Sequence, residues 1–535
     1  MDRRAFVHAG ITAAVAFTAP PAIVGASRAR HDLVLRGGVV IDGSGRPRFD
    51  ADVAITGGRV TAVGPRLDGV GAREIDVRGH IVAPGFIDIH SHADGSLFDD
   101  PAMESVVRQG VTSVMIGADG SSRAPDGMRR LLESIDELRP GANVASAVGL
   151  GTVRGHIVGG SDRAATRSEL ARMTQLVETA LQEGAVGASS GLEYTPGAFA
   201  SPEELIALCR PLAARGRRLA YHTHLRNEDD RLLEALDEAI AVARGAGCAL
   251  QVSHLKTQGP RNWNKLDDAL ARIDTARRNG LDAAFDRYPY EAYQTGLTNL
   301  FPVWSRDGGF DRFLARLDDP PVAERIRAET LAKIDLIGGW DNVQVTSVIA
   351  ERDKPAEGRR LGAWAGEQGV EPFEAAVALL RRSGGNVGMV GFAMSESNLE
   401  RILQHEWSMV CSDGGALAVS GPARRGVPHP RGAGAFARVL GRYVRERGTL
   451  TLEQAVRKMS ALPASRLRLA DRGLLAPGQR ADIAVFHPET VSDRATFENP
   501  FQYAVGVKAT IVNGGVAFLD GERGPGTGRA LRGAG

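Results

Sequence analysis

From residue 81 to residue 412 the chain repeats one phrase eight times: a short apolar run, mostly followed by a longer stretch with helical periodicity. The runs are Ile81 to Ile89, Val111 to Ile116, Asn143 to Val148, Val186 to Ser189, Leu219 to His224, Ala249 to His254, Leu281 to Asp286 and Ser408 to Ser412. Short apolar runs separated by amphipathic helices specify parallel strands covered on the outside by helices. Eight such strands specify closure, so the expected fold class is α/β, a (β/α)8 TIM-like barrel rather than an open sheet. The stretch from about 289 to 345 adds helical material between the seventh and eighth strands and reads as an insertion able to form a lid.

The two ends share a different grammar. Residues 30–82 contain alternating strands around glycine turns, as in Ala51-Asp52-Val53-Ala54-Ile55-Thr56-Gly57-Gly58-Arg59-Val60. The pattern returns in residues 471–535, with Ala481 to Phe486 and Val507 to Val516. Both ends are therefore expected to build one small β-sandwich domain, with the barrel of residues 83–470 inserted between its halves. Residues 1–29 read as a targeting segment: Arg3-Arg4 and Phe6 precede a modest apolar run broken by Pro20-Pro21, too short to span a membrane. Twin arginines suggest the twin-arginine (Tat) export machinery as a partner, which carries folded proteins, and a periplasmic or secreted mature chain with no membrane span.

The formal net charge of +1 gives no reason to expect nucleic acid or an anionic membrane as a partner. Three cysteines are too few and too odd in number for a disulfide framework.

The chemistry sits at strand ends, where such barrels place it. His90 and His92, spaced i, i+2, point to one side of the first strand and make a pincer for a divalent metal, most plausibly zinc. The second strand ends at Asp119, the fifth at His224, the sixth at His254 and the eighth at Asp413. Four histidines and two aspartates around one rim form a ligand set for one or two zinc-type ions.

The chain resembles the amidohydrolase superfamily in Pro84-Gly85-Phe86-Ile87-Asp88-Ile89-His90-Ser91-His92. Within it, the chain is similar to the D-aminoacylase (N-acyl-D-amino acid deacylase) family over nearly the whole mature length. That likeness rests on His224-Leu225-Arg226-Asn227-Glu228, Ser253-His254-Leu255-Lys256, Asp286-Arg287-Tyr288-Pro289-Tyr290, Ser412-Asp413-Gly414 and His429-Pro430-Arg431. The resemblance implies that His224 and His254 hold a tighter zinc, with His90, His92 and Asp413 lining a second, weaker position. Relatives commonly place a cysteine in the turn after strand two, or elsewhere a carboxylated lysine. Here Asp119 stands in that turn and no lysine occurs before Lys256. A carboxylate is a harder donor than a thiolate, so manganese or cobalt joins zinc among the expected ions.

The implied reaction is hydrolysis of the amide of an N-acyl-D-amino acid, giving a carboxylate and a free D-amino acid. Metal-bound hydroxide is the expected nucleophile, and Asp413 the general base that later returns the proton to the leaving amine. By the same resemblance Lys256, Tyr288 and Arg431 bind the α-carboxylate of this small-molecule substrate, and Tyr194 stands near the scissile group. The alternatives are another amidohydrolase reaction on a carboxylate-bearing amide, by a dipeptidase or cyclic amidase, or a decayed binding protein. The last would have lost some of the metal-site residues, and none is missing.

Overall fold

The structure, a computed structural model, describes residues 30–123, 127–214 and 218–533. The targeting segment expected at 1–29 lies outside the described residues.

The fold is mixed α/β. Eight parallel strands follow one another in chain order: β1 (Phe86–Asp88), β2 (Val111–Ile116), β3 (Asn143–Ser146), β4 (Gly187–Gly191), β5 (Ala220–His224), β6 (Ala249–Val252), β7 (Ala283–Arg287) and β8 (Ser408–Val410). β3 reaches β4 through its continuation Val148–Gly149. Between β1 and β8 the hydrogen bonds lie just past the strand ends: Asp413 N donates to His90 O at 2.8 Å and His92 N to Gly414 O at 2.9 Å. The residues that finish these two strands are thus fastened to each other.

Helices separate the strands, among them Arg167–Gln182, Pro202–Ala213, Leu232–Ala246 and Leu266–Arg278, and bury apolar faces against them. Their starts are locally encoded. Thr166 and Glu169 form a capping box, and Ser201 accepts from Glu204 N just ahead of Pro202.

The expected first strand, Ile81 to Ile89, is in fact two. Ile81–Pro84 pairs with Ile483–Phe486 and with Val39–Val40 of the terminal β unit, while β1 pairs with β2. The break falls at Gly85, where a Cβ would lie 2.2 Å from Thr112 Oγ1, so only glycine allows the chain to cross between sheets. The terminal unit therefore extends to Pro84, not to residue 82. Its strands form one hydrogen-bonded nine-stranded sheet with a core of its own that includes Leu35, Val53, Val82, Ile483, Val485 and Ile511. The chain's last strand, Ala530–Leu531, leaves that sheet and pairs with β3.

The insertion is larger than the sequence suggested. It occupies the whole interval from β7 to β8 and carries an antiparallel sheet of its own, Ala292–Gly296, Gly388–Phe392 and Val343–Ser347 in that spatial order. No helix among the described residues is long and apolar enough to cross a membrane.

Candidate active site

Every metal-ligand candidate named from sequence converges at the C-terminal ends of the strands. His90 Nε2 lies 3.4 Å from both Asp119 Oδ1 and Asp413 Oδ1. His92 Nε2 lies 3.4 Å from Asp119 Oδ2 and 3.1 Å from Asp413 Oδ1. Across the rim, His224 Nδ1 and His254 Nε2 are 3.1 Å apart, and His254 Nε2 is 3.5 Å from Asp119 Oδ1. Three ligand groups result: His90–His92–Asp119–Asp413 and Asp119–His224–His254, with Asp119 common to both, and a third, Glu193–His224–Glu228, on the far side of His224.

Asp119, His254 and Asp413 share a backbone feature that the sequence does not announce. Their φ angles are 49°, 36° and 50°, in the left-handed region that non-glycine residues seldom enter. Each costs about 1 kcal/mol or more, and such strain persists only where neighbours enforce it. The neighbours are present. Ser189 of β4 donates to Gly117 O and accepts from Gly120 N, pinning the turn that carries Asp119. Asp286 accepts from His254 N at 2.8 Å, and the bond from Asp413 N to His90 O fixes the third.

Among buried polar atoms without a hydrogen-bond partner are His90 Nε2, His224 Nε2 and Asp119 Oδ1. Such atoms are costly unless something outside the protein satisfies them. Burial disfavours charge on the imidazoles, yet the Asp119 and Asp413 carboxylates override it and lift His92 to about 9. For His224, burial is likewise outweighed, here by Glu228, Asp119 and Glu193, which raise it to about 10. The carboxylates therefore demand positive charge at the centre of the cluster. Imidazole nitrogens and carboxylate oxygens at this spacing fit a zinc-type divalent ion.

Behind the histidines stands Glu228, the last residue of the His224-to-Glu228 motif and absent from the candidate site residues. Its Oε1 accepts from Lys256 Nζ at 2.5 Å and lies 3.1 Å from His254 Nδ1; its Oε2 accepts from Gln258 at 2.8 Å and lies 3.8 Å from His224 Nε2. One buried carboxylate thus faces the outer nitrogens of both histidines, leaving His224 Nδ1 and His254 Nε2 turned toward Asp119. Glu193 reinforces it, 3.5 Å from His224 Nε2. His222, one turn of the strand deeper, is buried outside all three ligand groups and held down near 3, chiefly by burial.

The cluster opens into a cavity of about 590 Å3 lined by Tyr194, Lys256, Tyr288 and Arg431 among others. The two cations expected for the substrate carboxylate are not free: Lys256 is bound to Glu228, and Arg431 Nη1 donates to Asp413 Oδ2 at 2.6 Å. Burial forces this, since an isolated charge in such a place is too costly. What remains unpaired is the Tyr288 hydroxyl and Arg431 Nε. Of Tyr288 and Tyr290, Tyr288 lines the cavity, and the Tyr290 hydroxyl turns away to Asp493. Tyr194 packs its ring 4.7 Å from that of His224.

An N-acyl-D-glutamate deacylase of Alcaligenes xylosoxydans xylosoxydans is 39% identical over 524 residues, spanning 94% of this chain and 96% of its own. This chain belongs to the D-aminoacylase family of amidohydrolases. A D-aminoacylase of the same organism is 35% identical over 90% of this chain and 93% of its own. Residues 419–518 match the model of the amidohydrolase family. The crystal structure of an N-acyl-D-glutamate deacylase from Bordetella bronchiseptica, complexed with zinc and a phosphonate inhibitor, superposes with a TM-score of 0.81 at 36% identity, covering 94% of this chain and all of that one.

Proposed function

We propose that this D-aminoacylase family member is a metal-dependent hydrolase that cleaves N-acyl-D-amino acids into a carboxylic acid and a free D-amino acid. The observation that carries the reading is the shared cavity: two ligand groups joined at Asp119 open onto Tyr288 and Arg431, which keep unspent hydrogen-bond donors for a carboxylate. Likeness to N-acyl-D-glutamate deacylase, N-acyl-D-aspartate deacylase and D-aminoacylase supports both the bond and the D configuration. We read the eight strands as a (β/α)8 barrel and the terminal sheet as the small second domain of the fold.

His90, His92, Asp119, His224, His254 and Asp413 would hold the metal, one or two ions of zinc, manganese or cobalt. When bound, the metal supplies polarisation of the scissile carbonyl and a lowered pKa for the attacking water. The protein's own groups do the rest. Arg431 Nε and the Tyr288 hydroxyl take the α-carboxylate, with Lys256 adding charge behind them. Asp413 accepts a proton from the attacking water. The water oxygen bonds to the carbonyl carbon, the C–N bond breaks, and Asp413 returns the proton to the departing amine. Tyr194, beside His224, lies on the scissile side.

A panel of N-acetyl-D- and N-acetyl-L-amino acids with dipeptides, assayed after loading with zinc, manganese or cobalt, tests this reading. Turnover confined to the D-series supports it; hydrolysis of dipeptides alone replaces it with a dipeptidase. We also propose export by the twin-arginine route to the periplasm or beyond, on the strength of Arg3-Arg4 and the apolar run that follows. Fractionation of cells with Arg3→Lys/Arg4→Lys protein tests it, since retention in the cytoplasm is the expected result.

A further inference from the structure

A cavity of about 490 Å3 lies where the terminal sheet, the turn before β3 and the last strand meet. Asn143, the first residue of β3, marks this as the end of the barrel opposite the metal-ligand candidates. Its Oδ1 accepts from Asn513 Nδ2 at 2.7 Å and from Arg529 N at 3.1 Å, and both of those residues line the cavity.

Four arginines line it, Arg139, Arg472, Arg480 and Arg529, and among the described residues no acidic side chain does. Arg472 is buried; its Nη1 donates to Asp482, and its Nε lies 3.3 Å from Asp471. Asp471 also lies 3.1 Å from Arg480 Nε and 3.8 Å from Arg59 Nη2, so three guanidiniums draw on one carboxylate. The guanidiniums of Arg139 and Arg529 have no hydrogen-bond or ion-pair partner among the described residues. The whole chain carries a formal net charge of only +1, so this is a local asymmetry and not part of a generally basic surface. Arg139 also follows the helix Met128–Leu138 at a φ of 49°, a position where glycine is the cheap occupant. Across the cavity, Gly57 and Gly58 leave the wall bare, and a Cβ at Gly57 would meet nothing within 4 Å.

A concave site walled by one sign of charge concentrates the opposite sign, and guanidinium forks match phosphate oxygens in bidentate pairs. A carboxylate brings one charge to such a cradle. A phosphate monoester brings about −1.5 to −2 and three acceptor oxygens. The volume also falls in the range of small-molecule sites, with room beyond a phosphate group.

We propose that this cavity binds a phosphate-bearing anion, held by Arg139, Arg472, Arg480 and Arg529 at the end of the barrel opposite the active site. The anion is either free phosphate or the phosphate of a small monoester. The site is independent of the deacylase reading and does not compete with substrate.

Calorimetric titration of the metal-loaded protein, with chloride holding ionic strength constant, reads binding of two probes, inorganic phosphate and ribose 5-phosphate. The expected result is saturable binding of at least one, weakened at least about tenfold in Arg139→Gln/Arg529→Gln. Both side chains are exposed, so this variant should keep the wild-type melting temperature in chloride. Arg529→Lys, which keeps the charge and loses the fork, should fall between the two. Tighter binding of ribose 5-phosphate marks the ligand as an ester; affinity no better than that of inorganic phosphate marks it as the free ion. Because phosphate also has affinity for a metal centre, Asp119→Ala is titrated alongside and should retain the binding. Heat that vanishes in Asp119→Ala and persists in the arginine double variant overturns the site. So does binding of neither probe, or equal binding by wild type and the double variant.

Discussion

Arg431 Nη1 donates to Asp413 Oδ2 across 2.6 Å, so the proposed proton acceptor and the proposed carboxylate-binding cation are joined before substrate arrives. Burial alone would drive the Asp413 carboxyl up; Arg431, with His254 and His90, outweighs it and holds the group well below the usual carboxylate range. A substrate that engages Arg431 draws on the same charge that keeps Asp413 ionised.

Arg431→Met should therefore do more than weaken binding. Truncating one partner of a buried charge pair costs about 2–5 kcal/mol, so kcat/KM should fall by at least about 100-fold. Asp413 keeps its burial and loses its strongest counter-charge, so its pKa rises. The acid limb of the pH–kcat/KM profile should move to higher pH, and an unmoved limb would show that the pairing does not set the protonation of Asp413.

Asp119 belongs to two of the ligand groups, and its removal should be felt at both. Chelation should abolish turnover, with zinc, manganese or cobalt restoring it. Asp119→Ala should bind metal at least about tenfold more weakly, and Asp119→Cys should regain zinc more than manganese. Elemental analysis after dialysis reads both; unchanged metal content in the alanine variant would reduce Asp119 to shaping its turn.

Glu228→Gln removes the counter-charge of a buried lysine and the carboxylate facing the outer nitrogens of two histidines. Loss of about 3–5 kcal/mol of stability is expected, with weaker metal binding. Adding Lys256→Met should recover much of the stability without the metal affinity. Urea unfolding and metal titration of the single and double variants separate the two roles, and a double variant no more stable than the single one would refute the charge argument.

Lys458 lies far from the site, under β8, donating to the carbonyls of His405 and Ser408. Burial, aided by Arg457, lowers it from 10.5 to about 8. Because the folded pKa is the lower one, the unfolded chain binds more protons between about pH 8 and 10.5, so this group's contribution to stability rises with pH across that window. The shift corresponds to ~3 kcal/mol. Lys458→Met should remove that rise, seen as the difference between wild-type and variant urea midpoints at pH 7.5 and pH 10. Parallel curves would mean that Lys458 titrates normally.

The side chains that converge at this site were legible because strand geometry is local. His90 and His92 share a face by a period of two, and apolar runs mark where strands stop. Pairings were not legible, because a buried cation finds its partner in space: nothing in the spacing of Arg431 and Asp413, or of Lys256 and Glu228, says that they touch. The break at Gly85 was hidden because both halves of Ile81 to Ile89 are apolar, and only the crowding by Thr112 distinguishes them. The insertion's strands escaped notice for a similar reason. Gly388-Met389-Val390-Gly391-Phe392 shows no alternation, and its Gly391 accommodates the Tyr293 ring where a Cβ would stand 2.3 Å away.

The insertion begins and ends on strands that are already neighbours, since β7 pairs directly with β8. Its length and content are thereby uncoupled from the register of the other strands. It supplies Asn299, Arg306 and Lys333 to the cavity walls but none of the six candidate metal-site side chains. Such an arrangement is evolvable: segments between Tyr288 and Trp407 can be traded among homologues, or randomised in a library, to retarget the enzyme while its chemistry is inherited intact.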